Sequence, residues 1–442
     1  MRKPKVSIKT VYALGMIAAL FITSTIMSGC TDSGLLADRS LSIGELPDQS
    51  EGSSVIPQDS VFDTGRSAQD FSFESYVTVG LDLSLSIIDE EGEYLPGDDN
   101  IVIVTVTTLQ DNELFRGMAA PDGKVQGFFG VPTSIDSILL SIAGPGLDGR
   151  VLTIDNPAAL SVIKRDLQVV SLLTGRTLSA ALVDSDGDGV PDIYDAFPAD
   201  PTVAFEIAFP GDGSNVFTVA YEDNFPNLGD GDYNDFVANY SVSARGLSNK
   251  LFLLSGTATA LAKVAGYDHE FGLVFRIPGA SGTLSTTLNG SPVIQNLAVA
   301  DEIQIPLFAS TSEATSDGYS TASFTIIFST NPGVPLTDLP PAPFDPYLYI
   351  KNTDYDVHLI GESPLPGSQL SSDEDYRDAD GFPRALLVPG DFAAPQEMTS
   401  ILDAYPRFQA WVDAEGGIDP DGLITSDWYF YPDSTLTMDI SS

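Results

Sequence analysis

Apolar residues alternate with small or polar ones along much of the chain, with a period of two. Val77, Val79, Leu81, Leu83 and Leu85 form one face of a predicted strand. Ile101-Val102-Ile103-Val104-Thr105-Val106 predicts a buried β-branched strand. Glu90-Glu91-Gly92-Glu93 predicts a turn, and Asp122-Gly123 predicts a hairpin before Val125, Gly127 and Phe129. Phe271, Leu273, Phe275 and Ile277 share a face of another strand. Phe324, Ile326 and Phe328 alternate with Ser323, Thr325, Ile327 and Ser329 in one more. One stretch carries helical spacing instead: Met398, Ile401, Leu402, Tyr405, Phe408, Trp411 and Val412. Pro406 must kink or split that helix, and Gly416-Gly417 can cap it. The fold class expected is mainly β, in short strands joined by many turns.

The first residues follow another pattern. Arg2, Lys3, Lys5 and Lys9 precede an apolar run from Val11 to Met27, which ends in Ser28, Gly29 and Cys30. A basic start, an apolar stretch and small residues before a cut describe a secretory signal over 1–29. Met27-Ser28-Gly29-Cys30 resembles the lipobox of bacterial lipoproteins, in which the cysteine thiol takes a diacylglyceryl group. Cys30 is the single cysteine of 442 residues, so an exported thiol has no disulfide partner and needs another reason to exist. The alternative is an uncleaved signal anchor. Residues 30–68, rich in Ser, Gly, Asp and Pro, read as a flexible tether. Thr31 after the cysteine resembles the pattern for sorting to the outer membrane. Which face of that membrane the chain occupies stays open.

Composition narrows the partners. The signal carries four cations and no acids, so its removal moves the net charge from −42 to −46. Such a field repels nucleic acid and attracts divalent cations. With 43% hydrophobic and 10% aromatic residues, the chain has the material for packed cores rather than disorder. Its length points to two or three domains. Residues 69–162 are similar in pattern to the Ig-like, carboxypeptidase-regulatory-like modules of secreted bacterial proteins, which implies a β-sandwich. A connector over 163–200 and a larger β-rich domain over 201–442, jelly-roll-like or a sandwich, follow. Prolines at 332, 335, 340, 341, 343 and 346 mark a crossing or a linker, which leaves a subdivision near 335–346 open.

The sharpest motif is DSDGDGVPDIYD, residues 184–195. Asp184, Asp186, Asp188, Asp192 and Asp195 fall at positions 1, 3, 5, 9 and 12. Gly189 sits at 6 and the Val190 carbonyl at 7. That is the ligand spacing of a calcium loop, because Ca²⁺ takes six to eight hard oxygens and alternating carboxylates on a turning loop converge on one point. Asp195 replaces the usual Glu, and Pro191 removes an N–H that paired EF-hands use. The segment resembles a thrombospondin type 3 repeat, which implies a calcium-stiffened connection. The alternative is a solvated acidic linker.

A second cluster, YEDNFPNLGDGDYNDFVANY over 221–240, gathers Glu222, Asp223, Asp230, Asp232, Asn234 and Asp235. It resembles the LruC-domain family of bacterial lipoproteins. So do Ala196-Phe197-Pro198-Ala199-Asp200-Pro201, Asp380-Gly381-Phe382-Pro383-Arg384-Ala385-Leu386, Pro389-Gly390-Asp391-Phe392 and Ile401–Phe408. The resemblance spans about residues 180–432. We read the second cluster as another calcium site, with Asp230, Asp232, Asn234 and Asp235 as ligands and Glu222 or Asp223 completing the shell; the alternative is an acidic turn capping backbone N–H groups. The acids Asp373, Glu374, Asp375, Asp378 and Asp380 have no ligand spacing and read as a solvated loop.

Catalytic signatures are missing from the sequence. His269 and His358 lie far apart, without triad spacing, and no nucleophile elbow, phosphate loop or zinc motif occurs. His269 reads as a packed or surface histidine and Trp411 as core, while Trp428 is open. The expectation is a non-enzymatic, calcium-stabilised lipoprotein, membrane-anchored through Cys30, with a structural or adhesive role and an extracellular protein or glycan as ligand. The alternative is a carbohydrate-binding or carbohydrate-degrading surface protein.

Overall fold

Alternation places one face of each strand inside, and the structure follows it. It is a computed structural model that describes residues 57–66, 71–95, 101–172, 182–331, 333–371 and 374–439. Strands make up 45% of the described residues and helix 6%, so the protein is mainly β. Cys30, the signal and residues 30–56 lie outside the described residues; residues 57–66, expected as tether, instead pair the short strands Ser60–Val61 and Thr64–Gly65 with Leu160–Val170.

Val77, Val79, Leu81, Leu83 and Leu85 are buried along the strand Tyr76–Ile88. That strand pairs antiparallel with Lys124–Pro132 and parallel with Leu160–Val170. A second sheet orders Glu113–Met118, Ile103–Thr108, Ser137–Ala143 and Arg150–Asp155. The inner faces of both sheets share one core. The strand Leu160–Val170 carries this module past residue 162, so the connector begins later than the sequence implied.

The Asp122-Gly123 hairpin is corrected. The turn itself is present, with Gly123 at φ +79° and bonds between Ala120 and both Lys124 and Gly123. Its two flanking strands, however, lie in different sheets. A Cβ at Gly123 would stand 2.2 Å from the Leu85 carbonyl, so glycine lets the crossing chain press against the neighbouring strand.

Residues 201–439 build a larger antiparallel sheet of nine strands and a four-stranded sheet. Phe217–Tyr221 lies between Phe236–Leu247 and Ala385–Pro389 and is buried on both faces. Phe217, Val219 and Tyr221 face the core shared with the four-stranded sheet. Ala220, Val237, Leu386 and Val388 face a second core on the other side. The N-terminal module joins the first core directly: Tyr76 meets Phe217 edge-on at 4.7 Å, and the Ser75 hydroxyl donates to the Leu387 carbonyl. The proline-rich segment near 335–346 is a crossing, since Asp345–Ile350 pairs with His269–Phe275.

The predicted C-terminal helix is two short ones, Ile401–Ala404 and Phe408–Asp413, split around Pro406. Met398 lies before them at φ +63° and is exposed. Gly416 closes the second helix, donating to the Trp411 carbonyl at 2.9 Å with φ +79°. Trp411 and Trp428 are both fully buried in the second core.

Candidate metal centres

The 184–195 loop folds on its own acids. Asp184 accepts the N–H groups of Gly187 and Gly189 at 2.8 and 3.1 Å, Asp188 that of Val190 at 2.7 Å, and Asp195 that of Phe197 at 2.6 Å. Gly187 and Gly189, at φ +79° and +95°, let the chain double back. Carboxylate oxygens of Asp184, Asp186 and Asp188 come within 4.8 Å of one another. The Oδ2 atoms of Asp186, Asp188 and Asp195 are buried without a hydrogen-bond partner. Asp192 does something else: both of its oxygens bind Ser185, through N and Oγ at 2.7 Å each, and so brace the loop. Burial raises the Asp188 and Asp195 carboxyls above the usual carboxylate range, and neighbouring acids including Asp186 add to it. Val190 is fully buried against Ile103 of the N-terminal module and Ala204 and Phe205 of the C-terminal body. The loop therefore plugs the seam between the two.

In the second cluster the structure brings together Glu222, Asp230 and Asp232, again with oxygens within 4.8 Å. Glu222 is 4% exposed; its Oε1 accepts the Tyr233 N–H at 2.7 Å, while Oε2 is buried without a partner. Asp232 accepts the Met398 N–H at 2.8 Å. Burial pushes Glu222 up to about 7 and Asp232 to about 6, with Asp230 close by. A Cβ at Gly229 would stand 1.7 Å from Glu222 Oε2, so a larger residue there would displace that carboxylate.

Asp223, Asn234 and Asp235 are placed elsewhere. Asp223 Oδ2 bonds His269 Nε2 at 2.9 Å, and Asp235 accepts the Asp223 N–H at 2.7 Å. His269 is fully buried, with Nδ1 2.9 Å from Thr311 Oγ1. Asn234 donates to the Pro395 carbonyl at 3.2 Å, and its Oδ1 is buried without a partner.

A pocket of about 220 Å³ opens over the Glu222 site. Asp378, Asp380, Phe382 and Arg384 line it, together with Ile401 and Leu402. Nothing in the spacing marks this wall, because its residues lie 156 to 180 positions downstream of Glu222 and carry no ligand pattern. Of the acids expected in a solvated loop, Asp380 is exposed, but Asp378 caps the N–H groups of Asp380 and Phe382 at 2.9 Å each. Asp373 of the same acidic run lies outside the described residues.

His358 forms a third ionic cluster. It is fully buried, with Nδ1 2.6 Å from Asp345 and Nε2 3.4 Å from Asp356. Arg276 reaches Asp345 and Glu362 at 2.8 Å each. Burial alone would lower the imidazole, but the two carboxylates outweigh it and raise His358 to about 9. A raised histidine contributes its stability fully below pH 6.5 and loses it as pH climbs through about 9. Urea unfolding should therefore show a loss on the order of 3 kcal/mol across that window. His358→Gln should flatten the slope; a wild-type slope no steeper than the variant's would contradict the assignment.

Comparisons with known proteins add a family and two structures. No curated protein matches the chain. A crystal structure from Bacteroides ovatus, described as a candidate lipoprotein, is 12% identical with a TM-score of 0.42 and covers 77% of this chain and 99% of its own. The full-length major pilin SpaD of Corynebacterium diphtheriae is 13% identical with a TM-score of 0.11, covering 65% and 64%. Residues 249–429 match a domain of unknown function, DUF4842, so the chain is similar to that family over the segment that holds the pocket wall but neither acidic cluster.

Proposed function

We propose that the chain is a lipid-anchored cell-envelope protein whose body is held together by calcium, with a structural or adhesive role and no catalysis. One observation carries the calcium reading. Three buried carboxylate oxygens, from Asp186, Asp188 and Asp195, have no partner in a twelve-residue loop with calcium spacing. Buried unpaired charge is strongly unfavourable, and a divalent ion coordinated by those oxygens removes the penalty. Asp184, Asp186, Asp188 and Asp195, with the Val190 carbonyl, would hold it, and Asp192 would position the loop through Ser185. Because Val190 plugs the seam, ion binding stiffens the junction of the two bodies. The thrombospondin-type and LruC resemblances agree with this reading.

Both histidines are buried and paired with carboxylates, which keeps imidazole bases off the surface. Among the described residues no helix is long and apolar enough to cross a membrane, and the proposed anchor is the lipid on Cys30. A Cys30→Ser chain should fail to incorporate labelled palmitate in cells where the wild type does; equal labelling would sink the anchor. Limited proteolysis tests the calcium reading. Cleavage within 182–200 should be slow in calcium and at least tenfold faster in chelator. Identical digestion in both buffers would rule out the stiffening role.

A further inference from the structure

The Glu222 site differs from the 184–195 loop in one respect: it opens onto a pocket. Its three carboxylates carry six oxygens, three of which already accept the Tyr233, Met398 and Asn234 N–H groups, so the oxygens left free fall short of the six to eight that calcium takes. An ion seated on Glu222, Asp230 and Asp232 would keep open positions toward the cavity. Three carboxylates leave the loaded site net negative, and Asp378 and Asp380 deepen that charge. Arg384 offsets only one of these charges, and its guanidinium is turned over the Phe225 ring and to the Asn227 and Pro226 carbonyls, so the pocket stays net negative. An anionic ligand is thus repelled, and the open positions suit neutral oxygens.

The other walls are apolar. Leu228 and Leu402 are exposed, and Phe382 and Ile401 stand beside them. Paired oxygens on one side and a C–H face on the other describe a sugar ring. At about 220 Å³ the space lies below the roughly 300–1,000 Å³ of drug-sized sites, which limits the occupant to about one ring. We propose that the Glu222–Asp230–Asp232 site, loaded with calcium, binds a neutral sugar residue through two adjacent hydroxyls, with the ring's apolar face against Phe382 and Leu402. This rests on the calcium reading of the same cluster.

Terbium luminescence tests it. The full chain carrying Asp188→Ala, which removes ligands only from the other loop, is loaded with Tb³⁺, and bound waters are counted from lifetimes in H₂O and D₂O. Neutral methyl glycosides with adjacent hydroxyls, a uronic acid and a short neutral peptide are then added in turn. The expected result is the loss of about two waters with at least one neutral glycoside and no loss with the uronic acid. Phe382→Ala should weaken that response at least tenfold while terbium still binds. Terbium binding that Glu222→Gln abolishes, with no glycoside displacing water, overturns the sugar proposal and leaves the metal reading standing. Displacement by the peptide instead also overturns it, in favour of a protein ligand. No terbium binding at this site overturns both.

Discussion

Replacing Trp428 with alanine is expected to destabilise the protein by about 3–5 kcal/mol, the range for large aromatic deletions in a core. Trp428 is fully buried on a short helical turn, Trp428–Phe430. Its ring meets Phe408 at 4.7 Å, Tyr405 at 5.3 Å and Trp411 at 5.4 Å. Phe408 and Trp411 sit on the second C-terminal helix and Tyr405 caps the first, and they share one core with Ala220, Val237 and Leu386 of the large sheet. Trp428 therefore pins the last segment of the chain across the back of that sheet. The adjacent Ser426 hydroxyl also donates to the Thr133 carbonyl of the N-terminal module at 3.3 Å. Urea unfolding checks the magnitude; a loss under about 1 kcal/mol would mean that the cavity closes and the pin is dispensable.

Calcium is expected to reverse the sign of an Asp188→Ala substitution. At about 100 times its dissociation constant, an ion stabilises by roughly 2.7 kcal/mol, or about 3 °C in Tm for a chain of this size. The variant should therefore melt several degrees below wild type in calcium. In chelator the order changes. Asp188 then stands as a partly buried acid among Asp184, Asp186 and Asp195, with its carboxyl raised first by burial and then by those neighbours. Removing it relieves that repulsion, so the variant should melt at or above wild type. A variant equally destabilised in both buffers would show that Asp188 acts through its hydrogen bond to the Val190 N–H, with no ion involved.

The two acidic clusters differ in how far they were legible, and the reason is geometric. In 184–195 the ligands are contiguous, so spacing along the chain is spacing in space. Even there Asp192 turned to Ser185, a pairing that ligand spacing does not encode. In 221–235 the chain leaves a strand. Tyr221 packs on Phe236 and Phe271, so Asp223, two residues on, points the same way, to His269. Glu222 points to the opposite face. Strand parity was the available signal for separating Glu222 from Asp223. Nothing local identified His269 as the partner, because it lies on a strand of the other sheet. The Asp122-Gly123 turn shows the same limit: the turn is local chemistry, but strand pairing was decided by how two sheets close over one core.

Native mass spectrometry of the full chain in excess calcium tests the central claim most directly. The two converging carboxylate groups predict two calcium ions per wild-type chain, one in Asp188→Ala, one in Glu222→Gln, and none after chelation. A wild-type chain that carries no calcium, or whose calcium is unchanged by both substitutions, would contradict the account.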